Sequence, residues 1–490
     1  MFRSNRLKAI QDPLDAILLQ FIAKDGSARF PWTIRDSLEG TQIIGATGAG
    51  KSTGSGEAIA IPMLEHGFGG LVLTTKPDDA DCWLEYARRT GRLDDVRVID
   101  ASGRERFNFL DYERQSAQEV NLVRNIVHVL LTAVNASGDR DQATEAFWVD
   151  ALEALLTNGF DLDVLAHDST QLPRTMGLIR SAPRSRRDLQ SHAWRLRSAC
   201  WQALERAASR EHTPARAADL VETCEYFLRE FADLADRTRS VVVTSVLSKV
   251  SLLLRSPFRE IFCAAEPSTI TPDDSHRGAI IIVNLPIKRF GKAGRFAQLV
   301  IKAAWQRATE RRATKLKRGT PEFDPKQRPV FLWADEAQHF VTEEDMLFQQ
   351  TARSAQAASV YLTQNISNYH AQFHGAGGRA IADSILGGFQ TKIFHQNGDP
   401  LTCEWAERLF GYGPIPLGSR AVSGPSSSFT RTNSETFLPL VPAKSFATLK
   451  KGGPQNNRIV EAIVFQGGRT WDSERQHILH ARFQQRERSY

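Results

Sequence analysis

Residues Gly45 to Ser52 read GATGAGKS and follow a short apolar run, Thr41 to Ile44 (TQII). The stretch meets the phosphate-loop pattern G-x-x-x-x-G-K-[ST] at every fixed position. A glycine-rich turn at this spacing lets successive backbone N–H groups wrap a phosphate chain, and the helix that follows presents its positive dipole end to the anion. Gly45, Ala46, Thr47, Gly48, Ala49, Gly50, Lys51, Ser52 and Thr53 are therefore the candidate cradle. Lys51 would reach the β and γ phosphates of ATP, and the Ser52 hydroxyl would hold Mg²⁺. An ordinary Gly-rich turn also satisfies the pattern, so the fold depends on finding the second half of such a site.

That half lies nearly 300 residues on. Pro329 to Trp333 (PVFLW) is an apolar strand delivering the chain to Asp335 and Glu336. A nucleotide hydrolase needs this on a neighbouring strand: Asp335 to bind Mg²⁺ and Glu336 to orient and polarise the attacking water. Gln364 ends a further strand, VYLT, and in a parallel sheet would emerge at the same carboxyl edge, where a neutral amide can bond both water and γ-phosphate. Lys76, in TTKPDD, is at another strand end and reads equally as a site lysine or a turn lysine. Arg353 and Arg379 are the candidates for a transition-state charge supplied by a neighbouring subunit, Arg353 being preferred.

Between these motifs, strand and helix patterns alternate. A helix is expected over Glu57 to Glu65, ending near Gly67, then strands at GLVLTTKP (70–77), VRVID (96–100), GAIIIVNLP (278–286), VYLTQN (360–365) and GFQTKIFHQ (388–396), with helices at CWLEYARRTGR, 293–317 and 351–358. This predicts the α/β class: a doubly wound, mostly parallel twisted sheet with helices on both faces. From about Tyr112 to Pro267 strand signals cease, and Ala, Leu, Arg and Glu recur at helical spacing, as in FWVDALEALL. The expected organisation is an N-terminal segment (1–40), a nucleotide-binding domain in two parts (41–111 and 271–412) around an inserted all-α domain (112–270), and a C-terminal segment (413–490). Within the last, the Ser-, Gly- and Thr-rich stretch 419–434 is expected to be a mobile loop, Gly452 to Asn457 a turn, and the residues from Arg482 onward frayed.

Composition bounds the rest. The chain has 490 residues, 41% hydrophobic and 24% charged, enough for two or three soluble cores. No window approaches the roughly 18 unbroken apolar residues of a membrane span, and Pro13 and Asp15 interrupt the N-terminal stretch, so neither a signal peptide nor an anchor is expected. Five scattered cysteines with no C-x-x-C pair argue against a zinc site or disulfide framework and for a reducing cytoplasm. The net charge of +6 is compatible with nucleic acid. Ile179 to Arg197 concentrates six arginines against one acid around Trp194 and fits either a solvated helix face or a nucleic-acid contact. The basic run 307–318 is less telling, because helix ends favour cations anyway.

Taken in order, these motifs resemble the coupling ATPases of conjugation and type IV secretion (TraG/TraD-like), in the HerA and FtsK branch of P-loop ATPases. GATGAGKSTGSGEAIAIPML looks like that family's P-loop and glycine-interrupted helix. TTKPDDAD resembles its Asp-Pro-Lys-Gly-Glu segment, with Lys76 on the lysine, and FNFLD its Asn-Pro-Leu-Asp element, with Phe109 in place of proline. AFWVDALEALL is similar to the opening of its all-α domain. LWADEAQHF resembles Walker B, TARSAQAASVYLTQN the stretch carrying an arginine and the sensing glutamine, and TKIFHQNGDPLTCEWAERLFG the closing segment. The chain departs from the family in reaching its P-loop by residue 45, without membrane helices, and in having His395 or Asn397 where some relatives carry an arginine.

The resemblance implies a RecA-like ATPase domain using ATP and Mg²⁺, with sites between the subunits of a homo-oligomeric, hexameric ring around single- or double-stranded DNA. It implies a DNA-translocating motor that feeds DNA, or a relaxase linked to DNA, to a type IV secretion channel, and a cytoplasmic protein reaching the inner membrane through partners. Two alternatives stay open: an adaptor ATPase that recruits protein substrates to a secretion apparatus, docking them on the Arg-rich insert, and a soluble HerA-like motor of DNA processing or defence.

Overall fold

The computed structural model describes residues 12–116, 122–136, 145–264, 266–317, 319, 321, 323–373, 377–423, 428–471 and 477–486. Its strands are β1 (Ile17–Ala23), β2 (Arg29–Thr33), β3 (Thr41–Ile44), β4 (Gly69–Leu73), β5 (Val96–Asp100), β6 (Ile280–Asn284), β7 (Val330–Ala334), β8 (Ala357–Thr363), β9 (Thr391–Phe394), β10 (Tyr412–Ser423), β11 (Ser428–Pro439), β12 (Ile459–Gln466) and β13 (Ile478–Gln484). Eleven of them form one sheet in the order β2-β1-β13-β12-β9-β3-β8-β7-β4-β6-β5. From β9 to β5 every neighbour is parallel, while β12, β13, β1 and β2 continue the sheet antiparallel.

The central strands are buried on both sides, so they read as unbroken apolar runs rather than alternations. In β7 all five residues are buried. Val330, Leu332 and Ala334 enter the core on one face, Phe331 and Trp333 the core on the other. On the second face lies helix Asp78–Arg89, with acids Asp78, Asp79 and Asp81 in its first turn and Arg88 and Arg89 in its last, as the helix dipole favours. Its Trp83 stacks on Phe331 with ring centroids 5.0 Å apart and meets Trp333 edge-on at 5.2 Å. The first face carries the long helix Ile287–Arg311 and, through the same core, the helices that fill the chain between β5 and β6.

Three expectations are corrected here. The helix expected over 351–358 is Glu344–Ala352; Gln356 adopts a left-handed φ of 48°, and Ala357 already begins β8, because its buried small side chain pairs with Val330. The stretch 419–434 is for the most part a two-stranded ribbon, β10 with β11, in register from Tyr412↔Pro439 to Ser423↔Ser428. Residues 424–427 lie outside the described residues. Polar residues can form such a ribbon because each strand satisfies the other's backbone, which a composition argument does not see. Arg482 to Gln484 belong to β13, where Arg482 pairs with both Ile22 and Glu461. The turn at 452–457 is present, with left-handed φ at Gly452, Gly453 and Asn457.

Candidate nucleotide site

Strand order gathers the motifs. β8 lies between β3, which leads into the P-loop, and β7, which leads into Asp335 and Glu336. Because the three run parallel, the P-loop, the acidic pair and Gln364 leave the sheet at one edge, the carboxyl edge where ligands of open α/β sheets lie.

In the P-loop, Gly48 and Gly50 take φ of 73° and 84°. Gly50 is also spatially confined: a Cβ there would lie 2.6 Å from Val460 Cγ2 and 3.1 Å from the Lys451 carbonyl oxygen, so the loop is backed by β12. The chain then makes a π-turn, Ser52–Gly56, with Gly56 N–H donating to the Lys51 carbonyl at 2.8 Å, before helix Glu57–Glu65 begins. Lys51 is nearly buried and its ammonium donates to the carbonyls of Gly45 (2.7 Å) and Ala46 (3.3 Å). Burial pulls its pKa down from the usual lysine value, opposed by Asp335 and Glu336.

Ser52 Oγ donates to Asp335 Oδ2 at 2.6 Å. A hydroxyl and a carboxylate side by side form a hard-oxygen donor pair of the kind Mg²⁺ prefers, and a cation bound there would take its other ligands from phosphate and water. The residues present fit the cation and the nucleotide: Ser52 and Asp335 would hold Mg²⁺, and Gly45 to Thr53 the phosphates. Among the described residues there is no separate cluster of three His, Cys, Asp or Glu that could hold a metal.

Glu336 sits in a left-handed backbone conformation, φ 53° and ψ 50°. Such a conformation at a non-glycine residue costs of order 1–3 kcal/mol and is kept where the surroundings enforce it. Its Oε1 accepts from Gln364 Nε2 at 3.0 Å and its Oε2 from Gln338 Nε2 at 2.9 Å. Gln338 Oε1 in turn accepts from Thr363 Oγ1 at 2.9 Å. Burial pushes the Glu336 carboxyl upward, but the two amides and the charges of Lys51 and Lys76 outweigh it and hold the pKa below the ordinary value. The group is thus an oriented carboxylate suited to accept a hydrogen bond from water.

Lys76 is exposed, its backbone N–H tied to Asp79 Oδ2 at 2.7 Å, and its charge is felt at both Lys51 and Glu336. The preceding Thr75 donates its hydroxyl to the Asp335 carbonyl at 3.1 Å. Arg353 is placed elsewhere: it precedes β8, pairs with Glu39 at 3.2 Å, and so lies at the amino edge, away from the P-loop of its own chain. Arg379 is exposed beside Asp383 on helix Gly378–Gly388.

Four residues beyond those expected belong to the site's frame. Gln338 is one. His395 Nε2 bonds Ser55 Oγ at 2.7 Å and its Nδ1 lies 3.1 Å from the Glu461 carbonyl; burial lowers its pKa to about 3, so it braces the P-loop helix as a neutral ring. Asn397 Nδ2 donates to the Gln364 carbonyl at 2.8 Å. Neither His395 nor Asn397 presents a cation. Gln485 Nε2, just past β13, donates to Thr53 Oγ1 at 2.6 Å and ties the C-terminal strand to the cradle. Gln338, two residues from Glu336, and His395 and Asn397, in the closing segment, had a local signal in the sequence; Gln485 had none.

The fold is a mostly parallel α/β sheet with a phosphate-loop motif and an acidic pair leaving its carboxyl edge. Among solved structures the chain is similar to the bacterial conjugative coupling protein TrwBdeltaN70, unbound form, at 16% identity and a TM-score of 0.60, covering 96% of this chain and 91% of that one. It is similar to TrwB in complex with ADP and Mg²⁺ at 14% identity and 0.58, covering 93% and 87%. It is also similar to VirB4 of Thermoanaerobacter pseudethanolicus at 12% identity and 0.53, covering 98% of each chain. No protein-family model and no curated protein matches the chain. The shared feature at these identities is the fold, and it spans nearly the whole molecule.

Proposed function

We propose that this chain is an ATP-driven motor of the coupling-protein type, which moves DNA, alone or joined to a relaxase, toward a type IV secretion channel. The observation that carries the reading is the joining of Ser52 to Asp335 and of Gln364 to Glu336 at one sheet edge. That arrangement sits in a fold shared over 96% of this chain with TrwBdeltaN70, a conjugative coupling protein. When bound, Mg²⁺ would neutralise phosphate charge; the chain's own residues hold the phosphates, keep Glu336 ionised and orient it. Residues 41–111 and 271–412 form the nucleotide-binding domain in this reading, and 112–270 the all-α insert.

Arg353 lies at the opposite edge and so brings no cation to the site of its own chain at the transition state. A ring of identical subunits, taken as a hexamer, supplies one in trans, with Arg353 as the proposed donor. Among the described residues no helix is long and apolar enough to cross a membrane, so attachment to a secretion channel in this reading runs through partners.

A specific observation also favours the adaptor reading. Arg184, Arg187 and Arg197 are exposed in the insert, in the same segment as Trp194, which packs on Trp201 with Arg195 over the Trp201 ring, and these basic and aromatic groups suit an acidic protein partner. The two readings separate on ATP hydrolysis with and without DNA. Stimulation by DNA that is abolished by Lys51→Ala supports the motor; hydrolysis indifferent to every DNA form, with acidic protein cargo retained by the insert, supports the adaptor.

A further inference from the structure

The segment that follows β6 leaves the sheet at the same edge as the Walker B acids and carries a charge pattern that the nucleotide site does not use. From Ser275 to Thr309 the chain has no Asp or Glu. Lys288, Arg289 and Lys292 are exposed on one turn, and none of the three makes an ion pair among the described residues. The turn is built rather than loose. Gly291, at φ 56° and ψ −137°, breaks helix Ile287–Arg311 between Arg289 and Lys292 in a conformation that other residues rarely adopt. Phe290 anchors the base, packing edge-on against Phe258 of the helical insert with centroids 5.7 Å apart, while the Arg289 guanidinium lies 5.2 Å over the Phe290 ring.

Two short paths join this turn to the acids. Lys288 N–H donates to the Thr75 carbonyl at 3.0 Å, and Thr75 Oγ1 donates to the Asp335 carbonyl at 3.1 Å. Farther along the same helix, Arg295 Nε donates to the His339 carbonyl at 2.7 Å, and His339 N–H donates to the Glu336 carbonyl at 3.1 Å. Gln298 clamps the frame, bonding Thr74 N–H and the carbonyls of Thr74 and Leu285. The turn and the helix that continues from it are thus each joined to the backbone of Asp335 or Glu336 through two hydrogen bonds.

We infer that the turn Lys288–Lys292 is a contact for the phosphate backbone of DNA and the element through which bound DNA adjusts hydrolysis at Asp335 and Glu336. Three exposed cations within five residues, with no acid from Ser275 to Thr309 and no ion pair among the described residues, match the sign of a phosphate backbone, the sequence-independent part of a DNA contact. The inference rests on the motor reading above, and its test is arranged to fail separately from that reading.

The test compares the full-length protein with a variant carrying Lys288→Ala, Arg289→Ala and Lys292→Ala. A second variant, Arg184→Ala with Arg187→Ala and Arg197→Ala, controls for lost charge elsewhere. Binding of a labelled DNA strand and its duplex is titrated over a range of salt, and ATP hydrolysis is followed with and without DNA. The turn variant is expected to keep ATP affinity, thermal midpoint and basal hydrolysis, to bind DNA at least tenfold more weakly, and to show a log K against log salt slope shallower by about 2 to 3. It is also expected to lose stimulation by DNA, whereas the insert variant keeps both slope and stimulation. Unchanged DNA binding in the turn variant, or loss confined to the insert variant, overturns this inference and leaves the motor reading standing. Absence of DNA binding by the parent protein, including retention on phosphatidylglycerol vesicles instead, overturns both.

Discussion

Gln364 Nε2 donates to Glu336 Oε1 at 3.0 Å, so the strand-end amide and the Walker B carboxylate are one unit rather than two independent site residues. Gln364→Ala removes a donor to the ionised form, so the Glu336 carboxyl titrates at higher pH. The acidic limb of the pH–rate profile for ATP hydrolysis is expected to move upward, with a rate at neutral pH reduced about tenfold or more. An unmoved limb would mean that the amide serves only as a strand cap.

Gly50 is held by conformation and by space at once. Gly50→Ala places a Cβ against Val460 and strains a φ of 84°, at a cost of about 1–2 kcal/mol for the backbone and about 1–3 kcal/mol for the overlap. ATP affinity and the thermal midpoint are both expected to fall. Adding Val460→Ala restores only the overlap share, which a double-mutant cycle measured by chemical denaturation resolves.

His395 makes stability depend on acid. Its ordinary value of 6.5 falls to about 3 in the fold. Below 6.5 the unfolded chain takes up a proton that the folded chain refuses until about 3, so stability falls as pH drops through that window, by up to about 1.4 kcal/mol per pH unit. His276, buried and lowered to about 4, acts in the same direction. His395→Gln, whose amide can still accept from Ser55 and donate toward the Glu461 carbonyl, is expected to flatten part of the slope in denaturant midpoints measured between pH 7 and 5. An identical slope in the variant would assign the acid sensitivity to other groups.

Asp345 anchors the loop that follows the Walker B pair. It is buried and accepts from Lys302 Nζ (2.6 Å), Gln306 Nε2 (2.9 Å), Tyr361 Oη (2.7 Å) and the Thr342 N–H (2.8 Å). Asp345→Ala leaves the Lys302 ammonium buried without its counter-charge and is expected to cost about 3–5 kcal/mol in urea unfolding. Combining it with Lys302→Met recovers a large part, because the uncompensated charge is gone.

What could be read from the chain follows the range of the interactions. Gly45 to Ser52, Asp335 and Glu336, and Gln364 were legible because strand periodicity and motif spacing are local, and because a parallel sheet places all strand ends with the same sense at one edge. The antiparallel flank of β1, β2, β12 and β13 was not: the pairing that joins its two hairpins, β1 with β13, links residues over 400 positions apart, such as Ile22 with Arg482. His395 against Ser55 and Gln485 against Thr53 are long-range contacts of the same kind, invisible to any window. Arg353 shows the opposite limit. Its place before a strand was readable, and that place puts it at the edge away from its own P-loop, so the role proposed for it requires a second subunit.

The central claim, that the Asp335–Glu336 edge hydrolyses ATP held by the P-loop, is tested most directly by Glu336→Gln, assayed for ATP binding and for steady-state hydrolysis in Mg²⁺. ATP affinity within about twofold of the parent and hydrolysis lower by about 10²- to 10⁴-fold are expected. A parent protein that binds ATP without hydrolysing it, or a variant that hydrolyses at the parent rate, would contradict it.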